Sequence, residues 1–105
     1  MRWAGEYHYA HRGLHDGCVP ENSSSAFAKA ALSGYGIELD VQRANDGTPV
    51  VFHDATLDRM TAETGPLSRR NAAQLGAITL AGSAQTIPTL RQVLQEVAGR
   101  VPVLI

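Results

Sequence analysis

The stretch Ile37-Glu38-Leu39-Asp40-Val41 constrains this chain more than any other, because apolar and acidic side chains alternate there at the period of an extended strand. On a strand, successive side chains point to opposite faces, so Glu38 and Asp40 are expected side by side while Ile37, Leu39 and Val41 face a core. Two carboxylates about 7 Å apart or less on one face repel and raise each other's pKa, unless water or a shared cation relieves them. The run reads as a half-exposed amphipathic strand continued by Gln42, or as part of a cation site. Its flanking sequence decides between the two.

Upstream, residues 7–10 alternate aromatic Tyr7 and Tyr9 with His8 and Ala10 and read as a short strand running into His11-Arg12-Gly13. The glycine permits a sharp exit that leaves His11 and Arg12 at the strand's C-terminal mouth. A helix start follows at Pro20-Glu21-Asn22-Ser23-Ser24, with the cap at any of residues 22–24 and Glu21 near the positive end of the dipole. Ala26, Phe27, Ala30 and Ala31 recur at helical spacing, and Gly34 or Gly36 is a suitable stop. Strand, helix and acidic strand in this order form a βαβ unit with parallel strands.

Downstream, Asn45-Asp46-Gly47 signals a hairpin turn, and the β-rich run 49–54 ends in His53-Asp54, which the turn should return close to the acidic strand. Asp54 reads as a loop cap. Between about 55 and 86 the apolar residues scatter among Thr, Gly, Pro and Ser, so the segment is expected to be a small insertion-like connection. Within it Ser68 is a candidate cap for a short helix reaching Leu75. A capping box at Thr89-Leu90-Arg91-Gln92 opens a helix whose stripe of Leu90, Val93, Leu94 and Val97 reads as core, with Gly99 as the stop. Val101-Pro102-Val103-Leu104-Ile105 reads as the beginning of a third parallel strand. Parallel strands ending there would leave open edges, so the chain is expected to be the front part of a larger α/β domain.

Bulk composition excludes several classes. Nine basic and ten acidic residues, net charge -1, provide no general attraction to nucleic acid or to an anionic membrane. No segment approaches the length of a membrane span, so no stable membrane insertion is expected. The single cysteine, Cys18, excludes an internal disulfide and suits a cytoplasmic setting.

Taken together, His11-Arg12-Gly13, Pro20-Glu21-Asn22-Ser23 with Ala26-Phe27, Glu38-x-Asp40, Asp46-Gly47, His53-Asp54 and Ile87-Pro88-Thr89-Leu90 resemble, in order and spacing, the N-terminal part of the glycerophosphodiester phosphodiesterase family. The resemblance runs from Ala10 onward. Ser23 stands where the family more often has threonine, a mild departure because both hydroxyls cap. The fold implied is α/β, the N-terminal part of a (β/α)8 TIM-type barrel truncated at its third strand, and residues 1–105 would be that portion of the domain.

The resemblance also implies roles. Glu38 and Asp40 would be two of the carboxylates that hold a divalent cation, Ca²⁺ or Mg²⁺. His11 and His53 would be the acid/base pair and Arg12 would present its guanidinium to the phosphate. Asn22 would position its loop as well as cap the helix. The implied reaction is metal-dependent hydrolysis of a glycerophosphodiester to an alcohol and glycerol 3-phosphate, with lysophospholipid headgroups as an alternative substrate class. The family's next metal-binding glutamate follows a strand such as 103–105, so the 105 residues alone are expected to turn over little or nothing. From a different class comes the expectation of a non-catalytic module that assembles with copies of itself through its exposed strand edges.

Overall fold

The structure, a computed structural model, describes residues 8–105. Three strands, β1 (Tyr9–His11), β2 (Gly36–Glu38) and β5 (Val103–Leu104), form a parallel sheet in the order β1-β2-β5. Helix α1 (Ser24–Leu32) links β1 to β2. The first strand thus extends one residue further than expected, to His11, while Tyr7 lies outside the described residues.

Of the three candidate caps for α1, Ser23 is the one used: its backbone is extended, and its hydroxyl accepts from the Ala26 N–H at 3.1 Å and donates to the Pro20 carbonyl at 2.6 Å. The helix ends where Ser33 N–H returns to the carbonyls of Lys29 and Ala31, followed by Gly34 in the left-handed region. Ala26 is buried, and Phe27 and Ala30 are buried with Ile37, Leu39, Val51, Val93 and Val97, which form the core between sheet and helices.

The acidic run is not one continuous strand. Leu39 N–H still donates to the Leu104 carbonyl at 3.0 Å, but the chain then leaves this sheet, and β3 (Val41–Arg43) pairs antiparallel with β4 (Pro49–Val51). Alternation survives the change of sheet because it is set by burial. Leu39 is 1 % exposed while Glu38 and Asp40 on either side reach solvent in part. The expected Asn45-Asp46-Gly47 turn closes the β3–β4 hairpin, with Ala44 N–H on the Thr48 carbonyl at 2.9 Å.

Residues 55–86 contribute far more than a connection. Leu57, Leu67, Leu75, Ile78 and Leu80 are buried with Ile87 and with Val50 and Phe52 after the turn in a second core. No periodicity announces it, because the segment is built from turns with only a 3-10 turn (Leu67–Arg69) and the short α2 (Ala72–Leu75). Ser68 does not cap α2. It lies inside the 3-10 turn, and Asn71, in extended conformation, forms a reciprocal box with Gln74, at 2.8 and 2.9 Å.

Helix α3 (Leu90–Val97) opens with the expected box, Gln92 N–H on Thr89 Oγ1 at 3.1 Å and Thr89 N–H on Gln92 Oε1 at 2.9 Å. One member of its stripe is misplaced by the sequence reading: Val93 and Val97 are buried, but Leu94 is 45 % exposed. It stands about 100° around the helix from Val93, which carries it past the edge of the contact. Among the described residues no helix is long and apolar enough to cross a membrane.

The loop after β1 is tied to α1 by Asp16, whose carboxylate accepts from Lys29 Nζ at 2.9 Å and from the Cys18 and Val19 N–H groups at 2.7 and 2.9 Å. These bonds, Lys29 first, lower its pKa from 3.8 to about 2. Because the folded value lies below the unfolded one, ionised Asp16 stabilises the fold above about pH 4, and this contribution disappears as the pH falls toward 2. Asp16→Asn is expected to lower the melting temperature at pH 7, and melts repeated between pH 4 and pH 2 should show the gap closing.

Candidate active site

His11 and Glu38 are Cα partners in the parallel register of β1 and β2, which sets them side by side at the C-terminal ends of both strands. His11 Nε2 stands 3.2 Å from Glu38 Oε2. In a parallel α/β sheet this is the end at which functional side chains gather. The parallel register therefore assembles two of the predicted site residues without help from any loop.

Arg12, immediately beyond, has φ of 58°, and Asn22, whose N–H donates to the Arg12 carbonyl at 2.8 Å, has φ of 54°. Left-handed backbone at such residues costs on the order of 1–3 kcal/mol and persists where its surroundings hold it. What holds it here is charge pairing. Arg12 Nη1 donates to the two Glu21 carboxylate oxygens at 3.1 and 3.3 Å, and Arg12 Nε lies 3.6 Å from Asp40 Oδ2. Asn22 Nδ2 donates to the same Asp40 oxygen at 3.1 Å. Asn22 thus positions its loop, as expected, while the capping falls to Ser23.

Among the described residues, three buried polar atoms here make no hydrogen bond: Asn22 Oδ1, Arg12 Nε, which faces Asp40 only at 3.6 Å, and Glu38 Oε2, which His11 Nε2 approaches to 3.2 Å without hydrogen-bond geometry. An unsatisfied buried group costs roughly 1–3 kcal/mol, so the site is arranged for something other than its own stability. Two of the three are oxygens, and with the Asp40 carboxylate they make a set of hard donors of the kind Ca²⁺ and Mg²⁺ take. The set is incomplete. Among the described residues, no three His, Cys, Asp or Glu side chains converge closely enough to hold a metal.

The hairpin returns His53 to this neighbourhood. Phe52 N–H donates to the Asp40 carbonyl at 3.0 Å, and Gln42 Nε2 donates to the Phe52 and Asp54 carbonyls at 2.8 and 2.6 Å, fixing the backbone on both sides of the histidine. His53 Nδ1 lies 2.7 Å from Asp54 Oδ1. Arg59 joins this pair to the first loop. Its Nε and Nη2 donate to Asp54 at 2.8 and 3.0 Å, and its Nη1 and Nη2 donate to Glu21 at 3.0 and 2.9 Å.

Hydrogen bonds from Arg59, then from His53, hold the Asp54 carboxyl far below the usual range. Burial works against the Glu21 charge, yet the hydrogen bonds and charge of Arg59 and then of Arg12 outweigh it and lower the Glu21 pKa. Both groups are therefore carboxylates at neutral pH. A carboxylate only accepts, so His53 Nδ1 carries a proton and Nε2 is the nitrogen open to exchange.

His11, Arg12, Glu38 and Asp40 thus gather around the ends of β1 and β2, and His53 approaches from the hairpin. Sequence reasoning missed the network that joins them. Glu21 reads as a dipole partner and Asp54 as a loop cap, while Arg59 lies in a stretch without periodicity, 38 residues from Glu21. No sequence signal links them.

A family model described as the glycerophosphoryl diester phosphodiesterase family matches residues 11–105. Human glycerophosphodiester phosphodiesterase 1 is 39% identical over 97 residues, which is 83% of this chain and 29% of the human protein. The glycerophosphodiester phosphodiesterase of Bacillus altitudinis is 40% identical over 99 residues, 88% of this chain and 40% of that protein. Among solved structures, a glycerophosphoryl diester phosphodiesterase from Parabacteroides distasonis superposes with a TM-score of 0.84 at 30% identity, covering 92% of this chain and 36% of that one. An Oleispira antarctica phosphodiesterase, in complex with the product sn-glycerol-3-phosphate, superposes with a TM-score of 0.83 at 30% identity, covering 92% and 42%. The chain spans less than half the length of each of these relatives.

Proposed function

Since the chain belongs to the glycerophosphoryl diester phosphodiesterase family, we propose that the protein hydrolyses glycerophosphodiesters to an alcohol and glycerol 3-phosphate with His11 and His53 as its acid/base pair. The observation that carries this reading is the pairing of His11 with Glu38 at the C-terminal strand ends, with Asp40, Arg12 and the His53 loop bonded around them. The product held by the Oleispira relative supplies the substrate class. Residues 8–105 form the leading strands and helices of the barrel in this reading.

Each side chain has a task. One histidine takes a proton from the attacking hydroxyl or water as its oxygen bonds to phosphorus, and the other gives a proton to the departing alkoxide. For His53 the exchanging atom is Nε2, because Asp54 occupies Nδ1. Glu21 and Asp40 orient the Arg12 guanidinium, which offers positive charge to the phosphate. Glu38 and Asp40, with the Asn22 amide oxygen, would hold part of the shell of a Ca²⁺ or Mg²⁺ ion. Such a cation, when bound, offsets negative charge on the phosphate oxygens.

The test is release of glycerol 3-phosphate from glycerophosphoethanolamine by the full-length protein with Ca²⁺ or Mg²⁺. His11→Ala and His53→Ala are each expected to lower kcat about 10²- to 10⁴-fold, and a chelator is expected to stop turnover. Failure of the intact protein to release glycerol 3-phosphate, or undiminished turnover in both variants, would overturn the reading.

A further inference from the structure

Arg59 occupies a position that the proposed chemistry does not use. All four of its hydrogen bonds go to carboxylates, one fork to Asp54 and one to Glu21, at 2.8–3.0 Å. Glu21 in turn holds Arg12, and Asp54 holds His53, so five side chains run without a gap from the loop after β1 to the loop after β4. Arg59 is the only member of this chain of contacts that touches both loops.

The backbone carrying Arg59 is fixed on either side. Leu57 is buried and its N–H donates to the Gly65 carbonyl at 3.0 Å, while the Met60 carbonyl accepts from Ala81 N–H at 2.7 Å. Thr61, also buried, returns its hydroxyl to the Leu57 carbonyl at 2.8 Å. The second core is thus a platform from which Arg59 reaches outward. Its side chain is about half exposed, where ion pairs contribute little stability, so this double fork is better suited to fixing geometry than to holding the fold together.

We infer that Arg59 is a positioning residue that clamps the two site loops to one another, holding Asp54 against His53 Nδ1 and Glu21 against Arg12. The inference rests on the proposed hydrolysis for its meaning, since the clamp keeps the phosphate-facing guanidinium and one acid/base nitrogen at a constant separation. Its physical requirement is specific. Two carboxylates must be gripped at once by a planar group with parallel N–H donors, which a guanidinium supplies and an ammonium does not. With Asp54 held, Nδ1 keeps its proton and Nε2 remains open; released, the imidazole can turn or exchange tautomers.

The experiment pairs kinetics with ¹⁵N spectra of the imidazoles in the full-length protein, for Arg59→Ala, Arg59→Lys and Asp54→Asn. Arg59→Ala is expected to lower kcat roughly 10- to 100-fold, the size of effect that small misplacement of a catalytic group produces, with KM moving less than about threefold. Millimolar guanidinium should restore much of the loss, and Arg59→Lys should not. In spectra of the unmodified protein His53 is expected as a single Nδ1–H tautomer, which becomes a mixture in Arg59→Ala and Asp54→Asn.

The inference is overturned if Arg59→Ala retains kcat within twofold, or if activity falls while the His53 tautomer is unchanged and guanidinium restores nothing. Should the unmodified protein release no glycerol 3-phosphate, the hydrolytic reading fails, and the tautomer spectra still decide whether Arg59 holds His53.

Discussion

Gly13→Ala is expected to destabilise the protein by about 2–5 kcal/mol, combining a left-handed backbone cost with overpacking. Gly13 has φ of 79°, and a Cβ there would lie 2.8 Å from Ala26 Cβ and 3.0 Å from Phe27 Cδ1. Neither neighbour can yield, since Ala26 and Phe27 are 0 % and 2 % exposed at the base of α1. The turn itself is fastened on both sides, by Gly13 N–H to the Ala10 carbonyl at 3.1 Å and by Leu14 N–H to the Ala26 carbonyl at 3.0 Å. Strain introduced there is transmitted to Arg12 and His11. Gly34 is the control: its φ is 78°, but an added Cβ meets nothing within 4 Å. Gly34→Ala should therefore cost only the backbone part, about 1–2 kcal/mol, and urea melts of the two variants isolate the steric contribution at Gly13.

Leu39→Ala is expected to cost about 3–5 kcal/mol, the range seen when a fully buried leucine leaves a cavity that cannot collapse. Leu39 is 1 % exposed and lies in the core with Phe27, Ile37, Val51 and Val93. A loss of that size is a large part of the 5–15 kcal/mol by which proteins are ordinarily stable. It would also loosen the site, because Leu39 is the anchor between Glu38 and Asp40. Leu94→Ala on α3, where the side chain is 45 % exposed, should cost less than about 1 kcal/mol. Denaturant midpoints that shift at constant slope check both. Equal losses at the two leucines would contradict the observed division of the α3 stripe.

Much of the fold was legible because it is encoded over short distances. The Thr89-Gln92 box and the turn after Ala44 each involve groups no more than four residues apart and form where residue chemistry places them, while the cap of α1, open among residues 22–24 in the sequence, falls to Ser23. The order strand, helix, strand was readable from the change of hydrophobic period, and the parallel pairing of β1, β2 and β5 follows from that order. Ser68 misled because it lies within the 3-10 turn that precedes α2; the Asn71-Gln74 reciprocal pair was the better local signal.

The site was legible in part. His11, Arg12, Glu38, Asp40 and His53 could be named from their residue types and from the family resemblance. The carboxylates and arginine that hold them could not. Glu21 was visible only as a charge near a helix start and Asp54 only as a loop residue, since neither role depends on a partner that sequence proximity reveals.

By itself the sequence determined the order of the main strands and helices, the Thr89-Gln92 box and the hairpin turn, and it named candidates for the chemistry, since each depends on residue type and on spacings of a few residues. Tertiary structure alone decided that the acidic run divides between two sheets at Asp40, that residues 55–86 build a second core, and that Arg59 binds Glu21 across 38 residues. The physical reason is one of range. Capping bonds and periodic burial form within a turn or two of chain, whereas the partners of a charge or an irregular apolar segment are whichever groups the folded backbone brings within a few ångströms.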